Sequence, residues 1–512
     1  MGKNLHGSSY RFFLLIVLLQ FSLQGFWGCG RSALSGDVLE DDPAAFDPDM
    51  VEETTLDLRA EEISHVDIDT DEPAVEDDAV EMADGDEEEA PYRAAWSRTF
   101  GGSDFDEGVA VLEADEGGYV VLGSTHSFGA GDEDVWLLRL DEMGEILWEK
   151  AYGRESRDTG ALIRKTAEGG YLIALSSYSL ETYYDAVVMK LDGGGEIQWQ
   201  KAYGLEGYTS DDVGLVQASS DGGYLMAGFV DMVGDNIWLF KIDDDGNIIW
   251  QNAYMGPCGG GVRALRETAG GGHIAAGTSG CYMDGGYYWI LGLDSGGNIV
   301  HQDVEYIDHF VDSPFILQAF PGGGYILANS CHAAEMNLDF WVARIDENGR
   351  PLWQKNFDLE NLDDPFHVLA APDGSLLVSG TTSNFPDGRH DGWIISLDDR
   401  GEIVWQKTYR AGDVQEVTSV ARTSDGGLIF TGRLRSDREK NDLWVVKTEA
   451  SGAMPESCHP GLGSESSAAT GFTSALSPAE ETFTKLEVDA ITWDGNLVVT
   501  ETTAETDMQC GP

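Results

Sequence analysis

Seven times between Trp136 and Trp444 the chain repeats one pattern: an Asp/Gly-rich turn, then Asp-x-Trp-hydrophobic-x-Lys/Arg-hydrophobic-Asp, then Gly-x-hydrophobic-x-Trp and a stretch ending in Tyr-Gly. Self-similarity at about 50 residues narrows the fold more than any other feature, because a unit of that size cannot bury both faces of a sheet until neighbours stack on it. Three columns phase the repeat. Trp148, Trp199, Trp250, His301, Trp353 and Trp405 close successive units at steps of 51, 51, 51, 52 and 52 residues. Trp136, Val187, Trp238, Trp289, Trp341, Trp393 and Trp444 form a second column, and the Gly-rich hairpins from Gly117-Gly118-Tyr119 to Asp425-Gly426-Gly427 form a third. Each runs through the same units, and the last two count seven.

Every unit divides into four short apolar or alternating runs bounded by Gly, Asp or Ser, with no helical period. In the first unit these predict strands over 108–114, 119–125, 135–140 and 146–152. The turns Asp141 to Gly144, Asp346 to Gly349 and Asp398 to Gly401 suit hairpins, since Asp can bond backbone amides and Gly accepts positive φ. Four antiparallel strands per repeat make a propeller blade, so the expected fold is an all-β, seven-bladed β-propeller. The stretch Trp96-Ser97-Arg98-Thr99-Phe100-Gly101 copies the closing strand of a unit yet precedes the first one, while the seventh unit lacks that strand. The N-terminal copy is expected to complete the last blade and so remove an open edge.

These residues resemble bacterial secreted and surface β-propellers with tryptophan-containing repeats, relatives of the quinoprotein-type propellers. Gly144-Glu145-Ile146-Leu147-Trp148, Gly195-Glu196-Ile197-Gln198-Trp199 and Gly401-Glu402-Ile403-Val404-Trp405 carry the likeness, which spans about residues 93 to 452. The turn is one residue shorter than the Asp-x-x-Thr-Gly of quinoproteins. The resemblance implies that the closing Trp is a structural peg between blades. Quinoprotein alcohol dehydrogenases carry an adjacent Cys pair, which this sequence lacks, so no quinone cofactor is expected.

Lys3 and Arg11 precede the apolar run Phe12 to Phe26, which has the length and flanks of a secretory signal. It ends at Phe26-Trp27-Gly28-Cys29, which resembles a bacterial lipobox and makes Cys29 the expected lipidation site. Gly30 rather than Asp follows, favouring the outer membrane or cell surface of a Gram-negative bacterium over retention at the inner membrane. From Asp37 to Glu89 there are 24 acidic residues against the single basic Arg59, too polar to fold and self-repelling, hence a solvated spacer. The expected organisation is a signal peptide over 1–28, a lipidated acidic linker over 29–90, the propeller over 91–452 and a Ser/Thr-rich appendage over 453–512. Within that appendage, 486–492 and 496–501 are expected to be strands that pair together. A net charge of -60 excludes nucleic acid and an anionic membrane surface as partners.

Apart from Cys29, the cysteines are Cys258, Cys281, Cys331, Cys458 and Cys510, an odd number for an exported chain. Cys258 with Cys281, and Cys458 with Cys510, are the expected disulfides, with Cys331 free or an alternative partner for Cys281. Gly-x-Ser-x-Gly, His-Glu-x-x-His and Cys-x-x-Cys are absent, and no catalytic residue or metal site is assigned. Asp243-Asp244-Asp245-Gly246 faintly resembles a calcium loop but lacks the downstream Glu, so it reads as a turn and no cofactor is expected. The internal pattern breaks at His301 to His309 and in loops carrying Cys281, Tyr282, Asp284, Cys331, His332 and Glu335. Tyr282, Tyr287, Tyr306, Asp308, His309, His332 and Glu335 are therefore the candidate partner-binding residues. The chain reads as a monomeric, surface-anchored binding or scaffold module for protein or glycan, tied to the membrane by lipid alone. An extracytoplasmic glycan lyase or hydrolase with its site at the channel mouth is the alternative.

Overall fold

The computed structural model describes residues 95–454, apart from 180–182, 206–210, 231–235, 256–260, 269, 282–284, 308–315, 335–336, 348–349, 358–361, 385–388, 412 and 436–439, together with 462–465, 477–478, 484–486, 490–494, 498–501 and 505–510. All secondary structure among them is β. In the first unit, strands a (Asp106–Glu113), b (Tyr119–Thr125), c (Asp134–Leu140) and d (Ile146–Gly153) pair antiparallel in that order. Strand a begins two residues before the sequence expectation because the Asp106 amide is taken up by the Asn441 carbonyl, 2.9 Å away. The same four-strand order recurs in each repeat. The last repeat supplies only three strands, and Trp96–Gly101 is its fourth, with Thr99 opposite Trp444. Single parallel pairings, Leu338 with Leu362 and His390 with Val414, join the last three units into one larger sheet.

Strands b and c are buried on both faces, because each sheet is covered by its neighbours in sequence. Each apolar cluster among the described residues is shared by two consecutive units. One further cluster joins Trp96, Phe100 and Val445 of the last unit to Val121, Trp136 and Leu138 of the first. The second Trp column supplies most of the fully buried indoles, at 136, 238, 289, 393 and 444. The closing column does not: Trp148, Trp199, Trp250, Trp353 and Trp405 are half-buried.

The reason lies in how units meet. Each turn between c and d is an Asp hairpin: Asp141 Oδ1 accepts the Met143 and Glu145 amides at 2.8 and 2.9 Å, and Gly144 sits at φ 77°. The closing indole of the preceding sheet lies flat on that glycine, so a Cβ at Gly144 would stand 2.8 Å from the Trp96 ring. Trp96 Nε1 donates to the Glu142 carbonyl at 3.0 Å, and Arg98 pairs with Glu145 at 2.6 Å. The contact recurs down the chain. Trp199 and Trp353 donate to the Asp244 and Asp399 carbonyls, and the hydroxyls of Tyr152, Tyr203, Tyr254 and Tyr409 donate to the carbonyls of Gly195, Gly246, Gly297 and Gly452. These closing strands thus latch onto the c-to-d turn of the next unit, which is Asp-x-x-Gly except for Glu449 to Gly452 in the last unit.

The C-terminal segment departs from expectation. Ala490–Asp494 and Val498–Glu501 do not pair with each other: the former adds to strand d of unit two and the latter to strand d of unit one. Leu462–Glu465, Ser477–Pro478, Thr484–Leu486 and Glu505–Cys510 likewise add to the closing strands of units six, four, three and seven. Strand d presents a free row of backbone donors and acceptors, and an extended tail satisfies it better than a small sheet with no core.

Candidate functional site

The connections from b to c and from d to the next a share one face, as alternating strand direction requires. Glu133 and Arg157, from two such connections, form a parallel bridge, and the Asp158 amide donates to the Glu133 carbonyl at 2.7 Å. This face is built on recurrent carboxylates. Asp106 accepts hydrogen bonds from Thr125, from Ser127 Oγ at 2.8 Å and from the Gly102 amide at 2.9 Å. Asp158 repeats the arrangement with Ser177 and the Arg154 amide. Burial pushes both carboxyls above their ordinary range, against those hydrogen bonds.

A second column opens strand c. Asp134 is fully buried and accepts the Ala130 and Gly131 amides at 2.7 and 3.0 Å. Burial raises its carboxyl to about 6, and the charges of Asp158 and Glu133 add to the shift. The glycine of the Tyr-Gly ending exists for this side chain, since a Cβ on Gly153 would fall 1.4 Å from Asp134 Oδ1. Gly101 stands in the same relation to Asp442, at 2.5 Å. In unit six Arg410 replaces that glycine and instead makes a bidentate pair with Asp391. Nearby, Arg433 bridges Glu416 at 2.5 Å and Glu107 at 3.8 Å. Burial raises the Glu107 carboxyl, while for Arg433 burial is outweighed by the two carboxylates, which hold the guanidinium above its usual value. These acids tie down loops. The Asp-x-Trp motif carried the Asp134 column in the sequence, whereas the column of Asp106 and Asp158 was not singled out there, and only their partners separate a loop cap from a reacting group.

Of the candidate binding residues, Tyr287 on strand c and Tyr306 on strand d of unit four are directly opposite in register. Cys281 pairs with Gly285 in the same unit, and in unit five Cys331 and His332 lie opposite Asp339 and Leu338. These positions lie towards the ends of their strands from which the b-to-c loops spring. Tyr282, Asp308, His309 and Glu335 lie outside the described residues, as do Cys29, Cys258 and Cys458. Cys510 lies opposite Ser97. His301 is exposed, with its Nε2 2.6 Å from Asp303, so the break in the closing column removes a latch at that position. Asp243 forms the ordinary hairpin, accepting the Asn247 amide at 2.7 Å and the Asp245 amide at 3.0 Å. Among the described residues no three His, Cys, Asp or Glu side chains are grouped to hold a metal ion.

No family model matches the sequence, and no curated protein matches it. Among solved structures, a protein of unknown function from Dyadobacter fermentans DSM 18053 is similar over 70% of this chain and 98% of its own, at 10% identity and a TM-score of 0.40. That likeness is too distant to carry an argument about function.

Proposed function

We propose that the seven four-stranded units are the blades of a closed β-propeller, and that the chain is a surface lipoprotein presenting this propeller to a protein or glycan partner. The observation that carries the ring is the latch between last and first units. Trp96 and Arg98, in the strand that completes the seventh sheet, grip the 141–145 turn of the first as Lys150 and Tyr152 grip the turn of the second. In an open row of sheets the closing strand of the last unit would have no following turn to grip.

Lipid on Cys29 and the acidic stretch up to residue 90 would hold the disc away from the membrane, since a self-repelling coil works through reach. Incorporation of labelled fatty acid by the wild type and not by Cys29→Ser tests the anchor; equal labelling of both removes it. Binding is assigned to the loop face of units four and five, where the repeat consensus fails and Tyr287 stands beside Tyr306. Aromatic side chains give large contact area at small entropic cost and recur at binding hot spots. The test is a pull-down of surface partners and a glycan array with the purified full chain. Against the captured partner, the Tyr282, Tyr287 and Tyr306 triple Ala variant should bind about thirtyfold more weakly, roughly 2 kcal/mol, with unchanged melting. Undiminished binding by the folded triple variant would put the site elsewhere.

A further inference from the structure

In a chain at -60, cations are scarce and most have partners. Lys150, Lys190, Lys241, Lys355, Arg410 and Lys447 each meet a carboxylate. Arg164 and Arg266 do not, among the described residues. Arg164 Nη1 donates to the carbonyl of adjacent Ile163 at 2.9 Å, and its side chain otherwise stays open to water. Both arginines occupy one tier of strand a, with Arg164 opposite Leu172 and Arg266 opposite Ile274. Gln217 and Gln318 hold the same tier in units three and five, opposite Leu225 and Ile326. Units two to five therefore present Arg, Gln, Arg, Gln in succession. In the closed ring strand a is the innermost of each blade, so this tier borders the central channel.

The common tier on strand a is what places these groups around one space in a closed ring, and their electrostatics agree with it. Burial depresses the Arg164 guanidinium although water reaches it, as in a narrow wet channel. His367, on strand a of unit six, is pushed down to about 4, first by burial and then by the charge of Arg164 four units away along the chain. The His367 Nδ1 accepts the Val420 amide at 3.4 Å, so the neutral ring carries its proton on Nε2 as a donor. Gln217 Oε1 is a buried acceptor with no hydrogen-bond partner, so Gln217 could serve an anion only through its Nε2 amide. Unpaired guanidinium groups beside amide and imidazole donors match a planar oxyanion.

We propose that the propeller channel binds a small oxyanion, a carboxylate or a phosphate, through Arg164 and Arg266, with Gln217 and His367 as supporting donors. This rests on the closed-ring reading, and the experiment separates the two. Citrate and inorganic phosphate are titrated into the full chain by calorimetry at constant ionic strength, with sodium chloride as the control. Saturable binding of one of them, at least tenfold weaker in Arg164→Gln and in Arg266→Gln with unchanged melting, is expected; which probe binds identifies the ligand chemistry. Should a Gln variant fail to fold, Arg164→Lys keeps the charge, loses the planar fork and is expected to weaken binding by severalfold. In parallel, NMR titration of His367 should show its pKa rising in Arg164→Gln. A rise without anion binding, or equal affinity in wild type and folded variants, overturns the site and leaves the ring standing. An unmoved His367 shows that the two side chains share no channel and removes the ring reading with the site.

Discussion

Asp134 makes the fold sensitive to pH near neutrality. Its carboxyl is held at about 6 in the folded protein against an ordinary value of 3.8, chiefly because burial disfavours the charge. The folded state therefore holds this proton more tightly than the unfolded chain. The stability it contributes is complete below about pH 4 and is lost as pH rises through about 6. At about 1.4 kcal/mol per pH unit, the loss approaches about 3 kcal/mol by pH 8. Asp134→Asn keeps an acceptor for the Ala130 and Gly131 amides and cannot ionise, so it should escape that loss. For an all-β domain of this size, an unfolding entropy of roughly 0.7 kcal/mol/K converts the effect to about 3 to 4 °C. Because Asp106 and Asp158 are raised too, the wild-type curve alone mixes several groups, and the difference between variant and wild type is the quantity to read. Thermal melts followed by circular dichroism should show that difference opening in favour of Asp134→Asn by about 3 °C between pH 4 and pH 8. A difference that stays constant, or narrows as pH rises, would refute the assignment.

Deleting residues 91–101 should lower the melting temperature far more than deleting 37–80, because the first removes Trp96–Gly101 with its latch and the partner of Glu505–Cys510; equal melting of the two truncations contradicts ring closure. Trp353→Ala should cost about 2 to 4 kcal/mol, through lost ring packing on Gly401 and the lost bond to Asp399, and exposed His301→Ala less than about 1 kcal/mol; chemical denaturation compares them. Truncation after residue 454 should uncover the outer strands of six units and promote self-association, seen by light scattering as species larger than the monomer; a truncated chain that stays monomeric at high concentration would show that the tail does not protect those edges.

Much of the fold was legible because the repeat is fixed by local needs that each unit must meet alone. Asp141 and Gly144 shape one hairpin, and their equivalents recur wherever that hairpin recurs. The missing strand of the last unit and its copy at Trp96 could be matched by inspection for the same reason. What could not be read was which distant group each side chain meets. The closing tryptophans look like core residues in sequence, yet they are half-buried because their task is to lie on the next unit's turn, some 45 residues onward. The Tyr-Gly glycines look like turn punctuation, and only the position of Asp134 shows that Gly153 is required by a close approach. At the candidate face, loss of consensus is visible in sequence, but the register that sets Tyr287 beside Tyr306 is a property of the sheet.

The tail escaped reading for a different reason. A strand that joins an existing edge draws its stability from backbone hydrogen bonds and needs no hydrophobic pattern of its own, so Ser, Thr and acidic residues serve and composition suggests a polar appendage. Its spacing nevertheless carries a period. The last five tail strands start at 477, 484, 490, 498 and 505, steps of 7, 6, 8 and 7 residues. At about 3.3 Å per extended residue, a step of about seven residues can reach no farther than about 23 Å. The tail visits units four, three, two, one and seven in that order, against the direction of the repeat, and passes from the first unit to the last without a longer step. A row of sheets with separated ends would need a longer segment there. The even spacing across that junction therefore argues for the ring independently of the latch at Trp96.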